Sequence, residues 1–262
     1  MDKTLRTAAT GLAAEQKYVE IIANNISNVN TTGFKKVRPE FQDLLYETLQ
    51  PAGAVSQVGT EPLNEVQIGS GTKLVATTRI LSQGDVTQTN NALDMAINGE
   101  GYFMIRKPDN SIAYSRDGTF HLDAQGQIVN SQGYLLEPGF TIPDDTTDIQ
   151  VSRDGYLQVM LSGETQAQVL GQIELARFIN PGGLRAVGDN LFVETPASGQ
   201  PIYEQPGSNN TGEILQKSLE NSNVDIVEEM VNMIIAQRAY ELNSKSVMTA
   251  DNILATAVNL KR

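Results

Sequence analysis

Apolar side chains recur at two periods along this chain, and the change of period divides it. From residue 225 to residue 262 the period is helical. Ile226, Met230, Met233, Gln237, Tyr240, Ser244, Val247, Asp251, Leu254 and Val258 step by four and three, and seven of these ten are apolar, the spacing of a helix packed lengthwise on others. Neither Pro nor Gly interrupts residues 220–262. Asn223 or Asp225 is placed to cap the start, Glu228 and Glu229 follow in the first turn, and Lys261 and Arg262 stand at the negative end of the helix dipole. Such a helix is about 57 Å long. A second row, Val231, Ile235, Ala239, Leu242, Ile253, Ala257 and Leu260, makes it apolar on more than one side, so one partner does not cover it.

The opposite end of the chain repeats the pattern. Leu5, Ala8, Leu12, Glu15, Val19, Ile22 and Ile26 step by three and four, six of the seven being apolar. Ala8, Ala9, Ala13, Ala14 and Ala23 permit close helix approach. The pattern stops at Asn28-Val29-Asn30-Thr31-Thr32-Gly33, where Asn and Gly supply turn conformations. These end helices are expected to gain their order when several copies pack together.

Residues 34–49 predict a short helix started by Pro39, with Phe41, Leu44, Leu45 and Leu49 on one face. Residues 50–71 hold four Gly and two Pro without a helical period and predict an extended arm or hairpin. From Thr72 to about Gly212 the period falls to two. Short runs such as GYFMIRK, IAYSR, TFHLD and GYLQVML alternate with turn sequences such as Asp117-Gly118 and Asp154-Gly155, and Ser-Arg-Asp-Gly occurs at 115–118 and again at 152–155. The turns are too short for helical crossovers, so the sheet is mostly antiparallel. The residues therefore predict an α+β chain: long N- and C-terminal helices pairing as a coiled-coil-like module, with a central mostly antiparallel all-β domain. The divisions fall at 1–33 with 220–262, 34–71, and 72–219.

Charge sharpens that division. The net charge is −12, which argues against nucleic acid or an anionic membrane surface as partner. Residues 1–34 carry three acidic and three basic side chains and residues 221–262 five and four, leaving −11 on the middle. Neutral packing segments thus flank an acidic surface. No Cys is present and His121 is the single His, so thiol chemistry is excluded and a metal site is disfavoured. Asp117, Asp123, Asp144 and Asp145 sit in turn-forming sequence, where carboxylates serve backbone hydrogen bonds. The Gly-rich pieces lack the Lys and the strand-to-helix setting that phosphate binding needs. The expectation is a protein without catalytic residues, cofactor or metal, lacking a secretory leader and a membrane span.

Four blocks carry a resemblance. ANNISNVNTTGFKK (23–36) and SNVDIVEEMVNMIIAQRAYELNSK (222–245) resemble the paired end signatures of bacterial flagellar basal-body rod and hook proteins. ALDMAINGEGYFMI (92–105) and YSRDGTFHLDAQGQIVNSQGYLL (114–136) resemble that family's β-domain. Length and the 50–71 arm fit distal-rod members best; proximal rod or hook-type members are the nearer alternatives. An unrelated turn-rich adhesin or tail-like structural protein would lack the four blocks, and a carbohydrate-acting enzyme would need paired acids in a cleft. The resemblance implies a helical tube that transmits torque to the hook and encloses the export channel, with the end helices in its inner wall. It implies as partners other copies of the chain, proximal rod and hook proteins, surrounding rings and the flagellar type III export apparatus, and a periplasm-spanning location in the basal body. The expected self-assembly interface is Leu5, Leu12, Val19, Ile22 and Ile26 against Ile226, Met230, Met233, Tyr240, Val247, Leu254 and Val258 of the same and adjacent chains. Gln237, Ser244 and Asp251 are expected to set register or to face the channel, register being preferred for Gln237 and the channel for Asp251. Leu254→Asp is expected to stop assembly while leaving the β-domain folded.

Overall fold

The computed structural model describes residues 2–50, 65–163, 166–208 and 210–260. The chain forms two compact units, one from Met1–Ser27, Val37–Thr78 and Asp225–Arg262, the other from Asn28–Lys36 and Arg79–Val224. The first contains helix α1 (Asp2–Ser27) and helix α2 (Ile226–Leu260) with two short strand pairs. The second is built of strands, and every strand pair with a described register is antiparallel. The architecture is therefore α+β, with a helix at each end and a central antiparallel β region.

The expected helix over residues 34–49 does not form. Val37–Asp43 is a strand paired with Thr72–Arg79, and Tyr46–Gln50 is a strand paired with Val66–Gly69. Two causes are visible. The Asn25 side chain accepts from the Val37 amide at 3.0 Å and donates to the Val37 carbonyl at 2.9 Å, which holds the chain extended at the start of that strand. The apolar positions that fit a helical face find no core: Leu45 is 88% exposed. Tyr18 of α1 meets Phe41 edge-on at 6.3 Å instead. The strands on either side of the arm form hairpin limbs; residues 51–64 of the arm lie outside the described residues.

The β-rich unit is organised around Tyr102–Arg106. Phe103 pairs with Ser115 on one side and Leu175 on the other, while Ile105 lies between Ala113 and Leu136. Alternation then separates two cores. Phe103 and Ile105 enter a large one with Phe120, Leu157, Val159 and Ile214, and Tyr102 and Met104 enter a smaller one with Tyr114 and Phe178. The Phe103 and Phe120 rings meet edge to face at 5.3 Å, a favoured aromatic geometry. The two Ser-Arg-Asp-Gly turns use glycine differently. Gly155 has φ +82°, whereas a Cβ on Gly118 would stand 1.5 Å from the Met95 carbonyl oxygen.

Candidate assembly surface

Both helices start and pack for reasons that are local in sequence. Asp225 caps α2, its Oδ1 accepting from the amides of Val227 at 2.8 Å and Glu228 at 3.2 Å, which satisfies donors left open by the first turn. Along α2 Glu229, Ala236 and Ala250 are buried, and Asn243, which continues their spacing of seven, is half-buried, as are Met233 and Val247 beside them. On α1 the buried positions are Ala8, Ala14, Ile22 and Asn25, with Glu15 half-buried beside them. A Cβ on Gly11 of α1 would come within 2.8 Å of the Asn243 side chain, so the helices approach closely at that level. Near the end of α1 the Asn25 amide donates to the buried Glu229 carboxylate at 3.1 Å, tying α1, α2 and the Val37 strand together. Burial raises the Glu15 carboxyl above its ordinary value.

The residues expected at the interface divide by exposure. Ile22 is buried, while Leu5, Leu12, Val19, Ile26, Met233 and Val247 are half-buried. Ile226, Met230 and Tyr240 remain largely exposed, as do Gln237 and Asp251; Ser244 is half-buried. Leu254 and Val258 lie outside the residues whose side chains are described. Val19, Gln237 and Tyr240 come together with Gln16, Glu20 and Glu241 around an open hollow of about 420 Å³. The second apolar row read from the sequence stays uncovered at Val231, Ile235, Leu242 and Ile253. Val227, Ile234 and Met248 extend it, and neither row had included them.

Within one chain, α2 therefore buries small and polar residues fully and Met233 and Val247 in part, and leaves most of its bulky apolar side chains facing outward. An apolar surface of this extent is a mark of an interaction site. Among the described residues no group of His, Cys, Asp or Glu could hold a metal ion, and no helix is long and apolar enough to cross a membrane.

Comparison with known proteins agrees with this layout segment by segment. The model for "Flagella basal body rod protein" matches residues 5–35, that for "Flagellar hook protein FlgE/F/G D1 domain" residues 96–159, and that for "Flagellar basal body rod FlgEFG protein C-terminal" residues 215–260. The flagellar basal-body rod protein FlgG of Caulobacter vibrioides is 50% identical over 260 residues, covering 99% of each chain. That of Borreliella burgdorferi is 50% identical and that of Bacillus subtilis 38% identical, each over the full length of both chains. With identity at this level from end to end, the chain belongs to the flagellar basal-body rod protein FlgG family.

Proposed function

We propose that this chain assembles through its two end helices into the helical tube of the flagellar distal rod, a rigid shaft that carries torque to the hook and encloses the export channel. It is a structural component of the flagellar basal body. Its associations are with further copies of itself and with other rod and hook proteins. Surrounding ring proteins and the type III export apparatus complete the set of partners, and α1 pairs with α2 as a coiled-coil-like module. In this reading Leu5, Leu12, Val19, Ile22 and Ile26 pack with Ile226, Met230, Met233, Tyr240, Val247, Leu254 and Val258 of the same or adjacent chains. Gln237 sets register and Asp251 faces the channel.

The observation that supports the reading is the uncovered apolar surface of α2, with Val227, Ile234, Ile235 and Leu242 more than half exposed. Covering the exposed half of one such side chain contributes about 1 kcal/mol, against an association cost of roughly 4 to 15 kcal/mol. A neighbour touching two or three of them falls short; several neighbours on several rows do not. The test is sedimentation and electron microscopy of the purified chain at rising concentration. Wild-type protein is expected to form straight tubes, and Ile235→Asp to remain monomeric with an unchanged unfolding transition of the β-rich unit. Tubes formed by the variant, or a wild type that stays monomeric throughout, would overturn the assignment.

A further inference from the structure

Three charged side chains from distant parts of the sequence meet inside the β-rich unit. Lys35, Arg116 and Glu220 keep only 3%, 7% and 0% of their side-chain surface exposed. Glu220 Oε1 accepts from the Lys35 ammonium and from the Gly84 amide at 3.1 Å, and Oε2 lies 3.4 Å from Arg116 Nε. Lys35 also donates to the Ser82 carbonyl at 2.8 Å, and Arg116 Nη2 to the Gly99 carbonyl at 2.6 Å. Arg116 Nη1 is buried and has no hydrogen-bond partner among the described residues. Two cations thus face one buried carboxylate, and an uncompensated buried charge is costly. Burial pulls the Lys35 ammonium below its ordinary value, and Arg116 adds to that, despite the opposing pull of Glu220.

Beside this cluster lies a cavity of about 110 Å³, whose walls include Lys35, Arg116, Arg177, Tyr102 and Glu100. Arg177 is paired with Glu204 at 3.3 Å, so the unmatched positive charge belongs to Lys35 and Arg116. Glu100 is the acid on the wall, and it is exposed. The volume holds a few waters or one carboxylate. A nucleotide or a sugar ring does not fit.

We propose that this cavity is a receptor for a single carboxylate, held by the Arg116 guanidinium and the Lys35 ammonium. Arg116 Nη1, the guanidinium nitrogen without a partner, offers such a carboxylate a charge-assisted hydrogen bond. The carboxylate comes either from a free small anion or from an acidic side chain of another chain, and the chemistry of the site is the same in both cases.

The test uses the full chain, dilute enough to be monomeric, titrated with sodium acetate against sodium chloride at matched ionic strength. The readouts are the nitrogen-15 resonances of Arg116 Nε and the Gly101 amide. Acetate is expected to give a saturable shift that chloride does not. Arg116→Gln is expected to weaken it at least about ten-fold, the scale of a lost charge-assisted hydrogen bond. Glu100→Gln is expected to tighten it roughly two- to five-fold, as removal of an exposed like charge does, a gain that misfolding cannot produce. A second arm adds acetate to assembled protein. Release of subunits identifies a neighbouring chain as the source of the carboxylate, and unaffected assemblies identify a free anion. Equal shifts with chloride, or no saturable shift in wild type and Glu100→Gln alike, would overturn the proposal. The monomer titration does not depend on the tube reading, so the two stand or fall separately.

Discussion

The helical unit and the β-rich unit solve the burial problem to different degrees. In the β-rich unit Phe103, Ile105, Phe120, Leu136, Leu157, Val159 and Ile214 are withdrawn from solvent completely, and both faces of the Tyr102–Arg106 strand are covered. In the helical unit the side chains withdrawn to a similar extent are few, Ile22 and Ala236 among them, while the largest apolar residues of α2 face outward. One unit completes its core from its own residues and the other does not. Composition alone would not reveal this, because both units are rich in Ile, Val, Leu and Met. What separates them is whether the apolar period matches the number of partners the same chain provides.

That contrast can be attacked first at its stronger side. Phe120→Ala empties a fully buried ring position against Phe103 and is expected to cost about 3 to 5 kcal/mol. Urea denaturation should show the loss in the transition of the β-rich unit, with the helical signal unmoved; a loss shared equally by both would mean that the two units do not differ as described. A smaller effect is expected from Asn25→Ala, which removes the partner of both Val37 backbone groups and of the Glu229 carboxylate. It should destabilise the helical unit by about 1 to 3 kcal/mol. Faster hydrogen exchange at Val37 and along the last turn of α1 would report it, and unchanged exchange there would remove Asn25 from its structural role.

The smallest expected effect is electrostatic. Burial raises the Glu15 carboxyl above 4.5 in the folded chain. A raised folded value means that the native state holds its proton more tightly, so the contribution is fully present below about pH 4.5 and is lost as pH rises through the folded value. Glu15→Gln should therefore steepen the rise of helical-unit stability from acid to neutral pH and leave the protein more stable near neutral pH by less than about 1 kcal/mol, since water still reaches this site. Thermal melts followed by helical circular dichroism across that range would check the sign. A variant whose acid limb matched wild type would show that Glu15 does not titrate against its burial.

Both helices could be read from the sequence because their signals are local: the three-and-four step, the Asp225 cap and the turn at 28–33. The central strands were legible for a similar reason, with alternation bounded by turns such as Asp117-Gly118 and Asp154-Gly155. The strands at Val37–Asp43 and Tyr46–Gln50 were not, because Phe41, Leu44, Leu45 and Leu49 fit a helical step and Pro39 fits a helix start. What overrode that fit was Asn25, a polar residue twelve positions away. The row that α2 offers to α1 escaped for a related reason. Glu229, Ala236, Asn243 and Ala250 are small or polar, and a search for apolar period passes over them. The buried Lys35, Arg116 and Glu220 stand 81 and 104 positions apart in sequence, and no local motif announces such a meeting. Even the repeated Ser-Arg-Asp-Gly misleads, since Arg116 is buried while Arg153 is 75% exposed.

The slim row spaced by seven between α1 and α2 bears on how growth of the proposed tube would begin. A chain whose α2 buries mainly Glu229, Ala236 and Ala250 within itself arrives at an assembly with most of its bulky side chains still available. A first encounter between two copies covers one of those rows and is short-lived, whereas a chain joining a formed end covers several at once and stays. Growth of the tube proposed above would then show a lag, a threshold concentration below which nothing accumulates, and a strong preference for extending existing ends over starting new ones.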